Sequence, residues 1–235
     1  MVSVCRGSVD MSEAVTDPTM PAMGMAGGMI PGADPVQRLG LTRPAVPSAP
    51  GPAELAAMRR NLARCRNIYI ADVPGCGLGI FSAVPVRAGR AIVVEEDTSY
   101  FDQMIDEAQV RRLGLDLSIH CFQVDHGRYL LPRGSIDDLI NHSCEPNCGI
   151  RLSPLGYRLI ALRDIATGDQ LTYDYSTYIG NPLERMACAC GSPHCRREVG
   201  PFRELPPERR AFYLTHDVVG PFLLDEALPA ARLAG

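Results

Sequence analysis

Short runs of apolar and β-branched residues, separated by Gly, Pro and Asp, follow one another along the chain from residue 67 onward. Runs of this length and composition predict short β-strands. The predicted strands lie at or near residues 67–72, 80–83, 91–95, 119–125, 128–131, 149–152, 157–163 and 170–173. So many short strands with few helices between them favour a mainly β domain over a βαβ sheet.

Three segments are predicted to be helical. Residues 101–113 carry apolar side chains at helical spacing. Pro206-Pro207 is a start signal, which predicts a helix over about residues 206–215. A short helix is also predicted at residues 54–65, just before the first strand.

The first 53 residues differ in composition from the rest of the chain. Residues 1–53 contain eight Pro and seven Gly, a share typical of disordered segments, so we predict a flexible tail. Residues 1–30 lack the ordered basic segment, compact apolar run and cleavage site of a secretory signal. No apolar run in the sequence reaches membrane-spanning length. We therefore expect a cytoplasmic protein without membrane contact, with export by a signal-independent secretion system left open.

Composition and charge exclude several kinds of function. The formal net charge of -4 gives no basic excess for holding a nucleic-acid backbone, so direct nucleic-acid binding is not expected. All 23 basic residues are Arg, and the chain contains no Lys. Chemistry that needs a lysine of its own is therefore excluded, including a Schiff base, a P-loop and a lysine general base. The 46% of hydrophobic residues is enough to fill a core.

Three of the nine cysteines are bunched in the pattern C-x-C-x4-C, formed by Cys188, Cys190 and Cys195. An odd cysteine count without an export signal favours metal or structural roles over disulfides. A Gly- and Pro-containing loop can turn three thiolates toward one ion, and structural zinc takes four ligands. The fourth ligand must come from another place in the sequence. The candidates are Cys144, Cys148 and His194.

The sharpest motif is Asn141-His-Ser-Cys-Glu-Pro-Asn-Cys148, which is followed by Gln170-Leu-Thr-Tyr-Asp-Tyr175 and then by the cysteine cluster. Upstream lies Gly75-Cys-Gly-Leu-Gly-Ile-Phe81. This ordered set resembles the SET-domain protein lysine methyltransferases that carry a cysteine-rich post-SET segment. The resemblance covers residues 66–198, somewhat over half of the chain.

The resemblance implies a fold and a division of the chain. It implies small packed β-sheets with a C-terminal pseudoknot, an exception to the usual rule against threaded connections. On this basis we expect a SET domain at residues 66–180, a post-SET zinc loop at 184–200 and a C-terminal helical extension at 201–235. It also implies S-adenosylmethionine on one face and the target lysine on the opposite face, joined by a narrow channel.

Site residues follow from the resemblance position by position. Gly77, Leu78 and Gly79 match the cofactor loop, where absent side chains let the backbone approach a ligand. Asn141 and His142 match residues that meet the adenosyl portion of the cofactor, largely through backbone groups.

The metal and catalytic residues follow in the same way. Cys144 matches the fourth ligand of a structural zinc ion, beside Cys188, Cys190 and Cys195. Tyr175 matches the active-site tyrosine and also contacts the cofactor in the family.

The resemblance implies S-adenosylmethionine-dependent methylation of a lysine in a basic protein. The substrate could be a histone or a ribosomal or DNA-packaging protein. Tyr173 matches the position at which Tyr restricts product multiplicity, so we expect mainly mono-methylation with some di-methylation. The alternative is a catalytically weak module that retains the fold, the zinc and the cofactor.

Overall fold

The structure is a computed structural model, and it describes residues 65–95, 104–115, 121–132, 136–153 and 156–224. The predicted tail at 1–53 lies outside the described residues, as does the predicted helix at 54–65 except for Cys65.

The described residues form a mainly β domain, which confirms the predicted fold class. Every predicted strand from residue 67 onward has an observed counterpart, with boundaries shifted by a few residues. The strands are β1 Ile68–Val73, β2 Gly77–Ser82, β3 Ala91–Glu95, β4 Ile105–Asp106, β5 Phe122–Asp125, β6 Arg128–Leu130, β7 Asn141–His142, β8 Cys148–Ser153, β9 Gly156–Ala161, β10 Thr172–Tyr173, β11 Met186–Ala187 and β12 Glu198–Val199.

These strands are distributed over five small sheets. Two have three strands, in the orders β3-β9-β8 and β4-β6-β5. Two antiparallel pairs are β1-β2 and β11-β12, and the latter brackets the cysteine loop. The remaining pair, β7-β10, is parallel. Small sheets of this kind agree with the expected architecture, whereas the threaded pseudoknot stays a prediction.

Residues 101–103 of the predicted helix at 101–113 lie outside the described residues, and the remainder is only partly helical. Helix α1 spans only Glu107–Arg112, and the two residues before it form β4. Asp106 and Gln109 form a capping box, with each side chain accepting from the other residue's backbone N–H. This local signal fixes the start of the helix more strongly than the apolar spacing. Gly114, at φ 67, follows the end of the helix.

The second helix, α2, spans Pro207–Thr215 as predicted. Four short 3-10 helices complete the described elements. They are Ile136–Leu139, Tyr175–Tyr178, Phe202–Glu204 and Pro221–Leu223.

One apolar cluster joins most of the sheets. The sheet β3-β9-β8 contributes Val93, Leu159 and Ile150, all of which are buried. Ile80 of β2 and Leu171, just before β10, are fully buried in the same cluster. The Leu171 N–H donates to the carbonyl of Ile80 at 2.7 Å. The segment leading into β10 is therefore held directly against β2.

The described part of the C-terminal extension belongs to this core. Val218 and Leu223 are 0% and 1% exposed. Gly149 and Gly180 leave room for these side chains, because a Cβ would lie 2.6 Å from Val218 at the first position and 2.9 Å from Leu223 at the second. The Gly220 N–H also donates to the carbonyl of Thr177 at 2.8 Å. Residues 201–224 therefore support the 3-10 helix Tyr175–Tyr178 from behind.

We expect Leu223→Ala to lower the free energy of unfolding by about 2–5 kcal/mol, because the truncation leaves a cavity in a packed core. The neighbouring Leu224 is 37% exposed, so Leu224→Ala should cost about 1 kcal/mol or less. Urea denaturation of the full chain measures both values. Equal costs for the two variants would contradict the placement of this segment in the core.

Candidate active site and metal centre

The parallel pair β7-β10 brings the two sharpest sequence motifs together. Thr172 pairs with Asn141, and Tyr173 pairs with His142. The Ser143 N–H then donates to the carbonyl of Tyr173 at 3.1 Å. Residues about thirty positions apart in sequence thus form one surface.

Tyr175 lies two residues beyond β10, at the start of the 3-10 helix Tyr175–Tyr178. Its side chain is buried, and its hydroxyl donates to the carbonyl of Ile140 at 2.9 Å. Its ring packs on that of Tyr173 with centroids 4.7 Å apart. Burial raises the pKa of Tyr175 well above its ordinary range. The phenol is therefore neutral near pH 7, and it is poorly suited to act as a base.

A narrow cavity of about 50 Å³ lies against these tyrosines. Tyr173 and Tyr175 both line it, together with the carboxylate residues Asp137, Asp138 and Glu184. Glu184 is only 3% exposed, and the Tyr129 hydroxyl donates to it at 2.8 Å. A narrow, partly acidic cavity of this kind suits an extended side chain with a basic end.

A larger cavity of about 230 Å³ lies against the same strand pair. Asn141 and His142 line it, as the sequence predicts, and Thr172 joins them. The smaller cavity is lined by Tyr173, next in sequence to Thr172. Cys190, from the cysteine loop, also lies on the lining of the larger cavity.

The predicted glycine loop adjoins residues that line the larger cavity. Gly77, Leu78 and Gly79 are part of β2, and they are not among the lining residues. The Asn141 side-chain amide donates to the carbonyl of Leu78 at 3.1 Å. A Cβ on Gly79 would lie 2.7 Å from Gln170 Nε2. Gly79 therefore lets β2 approach the lining residues closely, which is the role that the absent side chain permits.

Gln170 is a lining residue that the sequence reasoning missed. Its Nε2 is buried and has no hydrogen-bond partner among the described residues. Buried amide groups are nearly always paired in native structures. The larger cavity therefore fits a ligand that offers a hydrogen-bond acceptor near Gln170. The sequence signal that could have indicated Gln170 was its position directly before the Leu-Thr-Tyr string.

Cys144, Cys188 and Cys190 meet beside the larger cavity, and Cys195 lies next to Cys188. The Sγ of Cys188 lies 3.7 Å from that of Cys144 and 3.7 Å from that of Cys195. The Cys144 N–H donates to the Sγ of Cys190 at 3.5 Å. A tetrahedral zinc ion with Zn–S bonds of about 2.3 Å requires sulfur–sulfur distances of about 3.8 Å. The two measured separations fit this requirement.

His142 is also close to the cluster, because its ligand atom lies within 4.8 Å of those of Cys144, Cys188 and Cys190. Its Nδ1 accepts from the Tyr175 N–H at 3.2 Å. The neutral ring must then carry its proton on Nε2, which faces the Sγ of Cys144 at 3.3 Å. A protonated Nε2 cannot bind zinc, so this geometry favours Cys195 over His142 as a ligand.

The other two candidates lie outside this group of described residues. Cys148 is fully buried in β8, and burial raises the pKa of its thiol to about 12. His194 is exposed, and its Nδ1 lies 2.7 Å from a carboxylate oxygen of Glu145. In contrast, hydrogen bonds from Cys188, His142 and the Arg196 N–H lower the pKa of the Cys144 thiol. Of the three candidates for the fourth ligand, Cys144 is therefore the one placed to bind a cation beside Cys188 and Cys190.

Comparison with known proteins agrees with this geometry. Residues 77–176 match the family model described as the SET domain. The chain carries a SET domain. The matched range begins at β2 and ends just after Tyr175, so it contains both cavity-lining tyrosines and the Asn141–Cys148 motif.

The SET domain is similar to that of several large proteins. It is 34% identical over 128 residues to the histone-lysine N-methyltransferase ATX2 of Arabidopsis thaliana, covering 51% of this chain and 12% of that protein. It is 30% identical over 159 residues to the histone-lysine N-methyltransferase ash1 of Drosophila melanogaster, covering 58% of this chain and 7% of that protein. The chain thus spans only a small part of these relatives.

Among solved structures, a crystal structure of KRYPTONITE in complex with mCHG DNA and SAH matches with a TM-score of 0.40 and 24% identity. That match covers 57% of this chain and 29% of the other. Within the described part of the SET-domain chain, no helix is long and apolar enough to cross a bilayer.

We expect the purified chain to hold about one zinc ion, bound by the four cysteines. Cys195→Ala should lose most of this zinc, whereas His142→Gln should retain it, because Nε2 of His142 acts as a donor. Cys148→Ala is the matched thiol control and should also retain zinc. Metal analysis of dialysed protein measures the content. Zinc that survives in Cys195→Ala and disappears in His142→Gln would contradict this ligand set.

Proposed function

We propose that this protein is an S-adenosylmethionine-dependent protein-lysine N-methyltransferase. One observation carries the proposal. Two cavities are lined by residues of the β7-β10 pair and of the turn after it, one by Tyr173 and Tyr175 and the other by Asn141, His142 and Thr172. This arrangement suits a reaction in which a donor and an acceptor approach each other from separate pockets. The relatives' names as histone-lysine N-methyltransferases support lysine as the acceptor.

S-adenosylmethionine would occupy the larger cavity. Asn141 and His142 lie on its lining, and the buried Gln170 amide offers a donor for the adenosyl or ribosyl portion. The cofactor supplies a methyl group made electrophilic by the adjacent sulfonium. Its positive charge also favours the neutral form of an approaching amine.

The side chains of the smaller cavity would prepare the lysine. A free lysine has a pKa of about 10.4, so the amine must lose its proton before it can attack. Tyr175 is neutral and its O–H is engaged by Ile140, which leaves the oxygen's lone pairs to accept from the amine. We assign Tyr175 to orientation and electrostatics, with the proton leaving through water.

The substrate would be a basic protein. Asp137, Asp138 and Glu184 line the smaller cavity, and their carboxylates favour a cationic segment around the target lysine. A histone and another basic protein, such as a ribosomal or DNA-packaging protein, both meet this requirement. We further propose a cytoplasmic location and no direct binding to nucleic acid.

The competing hypothesis is a catalytically weak module that binds zinc and cofactor only. Both buried tyrosines at the smaller cavity favour the enzyme. An assay with radiolabelled S-adenosylmethionine and basic proteins separates the two hypotheses. Because the chain has no Lys, label on a lysine side chain must come from the substrate. No labelled acceptor with any basic protein would favour the module.

The pH dependence of the rate tests the role of Tyr175. The value of kcat/KM should rise with pH over about 7–9, because the lysine amine titrates near pH 10.4. Tyr175→Phe should lower the rate on the order of 100-fold through misalignment and leave that slope unchanged. If the slope disappeared in Tyr175→Phe, the tyrosine would be the general base and our assignment would be wrong.

Product multiplicity tests the role of Tyr173. Its ring is buried against Tyr175. Its hydroxyl would hold a water in the space that a further methyl group needs. We propose mono-methylation with some di-methylation for the native chain. Tyr173→Phe should increase the di- and trimethyl-lysine fractions in mass spectra of the product peptide. Abundant trimethyl-lysine from the native enzyme would contradict this proposal.

A further inference from the structure

A buried carboxylate lies between the two active-site tyrosines in sequence. Asp174 is 1% exposed, so its charge can be stable only with partners close by. It caps the 3-10 helix Tyr175–Tyr178 by accepting from the Ser176 N–H at 3.1 Å. Its carbonyl also accepts from the Thr177 hydroxyl at 2.7 Å. The position of Asp174 therefore determines how the chain turns at Tyr175.

The main partner of this carboxylate is Arg196, which comes from the cysteine loop. The guanidinium donates to both Asp174 oxygens, at 2.8 and 2.7 Å, and to the Ser176 hydroxyl at 3.2 Å. Bidentate pairs of this kind fix orientation as well as distance. The backbone N–H of the same residue donates to the Sγ of Cys144 at 3.4 Å. Arg196 thus touches the metal cluster and the tyrosine segment at once.

Helix α2 completes the arrangement. The Tyr213 hydroxyl donates to Asp174 at 3.0 Å. On the opposite side, the ring nitrogen Nδ1 of His142 lies 3.7 Å from the same carboxylate. Apart from the groups of its own turn, these partners of Asp174 belong to the metal loop, the β7 motif and the C-terminal helix.

We propose that Arg196 is a positioning residue that couples zinc binding to cofactor binding through its ion pair with Asp174. With zinc bound, the loop is closed and Arg196 holds the Asp174–Ser176 turn in place. This turn also holds His142, because the Tyr175 N–H donates to Nδ1 of the His142 ring. His142 lines the larger cavity. The inference rests on the proposed function in one respect, namely that the larger cavity binds the cofactor.

Coupling of this kind is reciprocal. If zinc raises the affinity for the cofactor by some factor, the cofactor must raise the affinity for zinc by the same factor. The effect can therefore be measured as zinc affinity, without any methyl transfer. If the ion pair served stability alone, its removal would lower the zinc affinity by the same factor with and without S-adenosylhomocysteine.

The chain offers a matched control arginine. Arg185 bridges Glu198 and Glu204 at 2.8 Å, and it belongs to the same post-SET region. Its side chain is 40% exposed, and its ion pairs are with Glu198 and Glu204 rather than with Asp174. Removing it tests what loss of a nearby surface ion pair does to the loop.

The experiment measures zinc affinity of the full chain by competition with a chelator, with and without saturating S-adenosylhomocysteine. In the native protein we expect the ligand to raise zinc affinity about 10-fold. In Arg196→Gln the ratio should fall below about 2-fold, and Arg185→Gln should keep the native ratio. Arg196→Lys, which keeps the charge but loses the bidentate geometry, should give an intermediate ratio. If Arg196→Gln does not fold, Tyr213→Phe replaces it as the test variant. Tyr213→Phe should also reduce the ratio of zinc affinities with and without the ligand.

The outcomes distinguish this inference from the proposed function. A native ratio in Arg196→Gln, or in both Arg196→Lys and Tyr213→Phe, would overturn the coupling role. A ratio of one in an active native protein that binds S-adenosylhomocysteine would overturn it and leave the proposed function intact. A native protein that neither binds S-adenosylhomocysteine nor methylates any basic protein would overturn both.

Discussion

The parallel pairing of β7 with β10, only two residues long, is the contact on which the candidate site depends. It sets Asn141 and His142 against Thr172 and Tyr173, and it thereby brings two distant motifs into one surface. This register sets Asn141 opposite Thr172 and His142 opposite Tyr173. A slip by one residue would move Thr172 and Tyr173 out of these pairings and disturb the hydrogen bond from the Tyr175 hydroxyl to the carbonyl of Ile140.

So short a strand pair needs stabilising contacts from its surroundings, and buried polar groups supply many of these contacts. Asp174 follows β10 directly and is held by Arg196 and Tyr213. A buried carboxylate without such partners would destabilise the fold. Asp174 therefore requires the metal loop and helix α2 to lie against its own turn. The apolar segment around Leu223 packs behind the same turn. The metal loop, helix α2 and the tyrosine turn therefore form one cooperative unit.

Sequence patterns predicted most of the strands because short β-branched runs between turn residues have few other conformations available. They failed at residues 101–113, where the capping box at Asp106 starts the helix late. They also missed the two-residue strands β7, β11 and β12, which carry no periodic signal of their own. Such strands are formed by tertiary pairing, so no local pattern could have indicated them.

The sequence alone determined the chemical groups of the site. It indicated three thiols in a C-x-C-x4-C loop, two tyrosines two residues apart and the absence of lysine, because these depend only on residue type and local spacing. Only the tertiary structure decided which distant groups meet them. Cys144 reaches Cys188 across 44 residues, and Arg196 reaches Asp174 across 22. The chain between such partners can close in many ways, and packing of the whole core selects one.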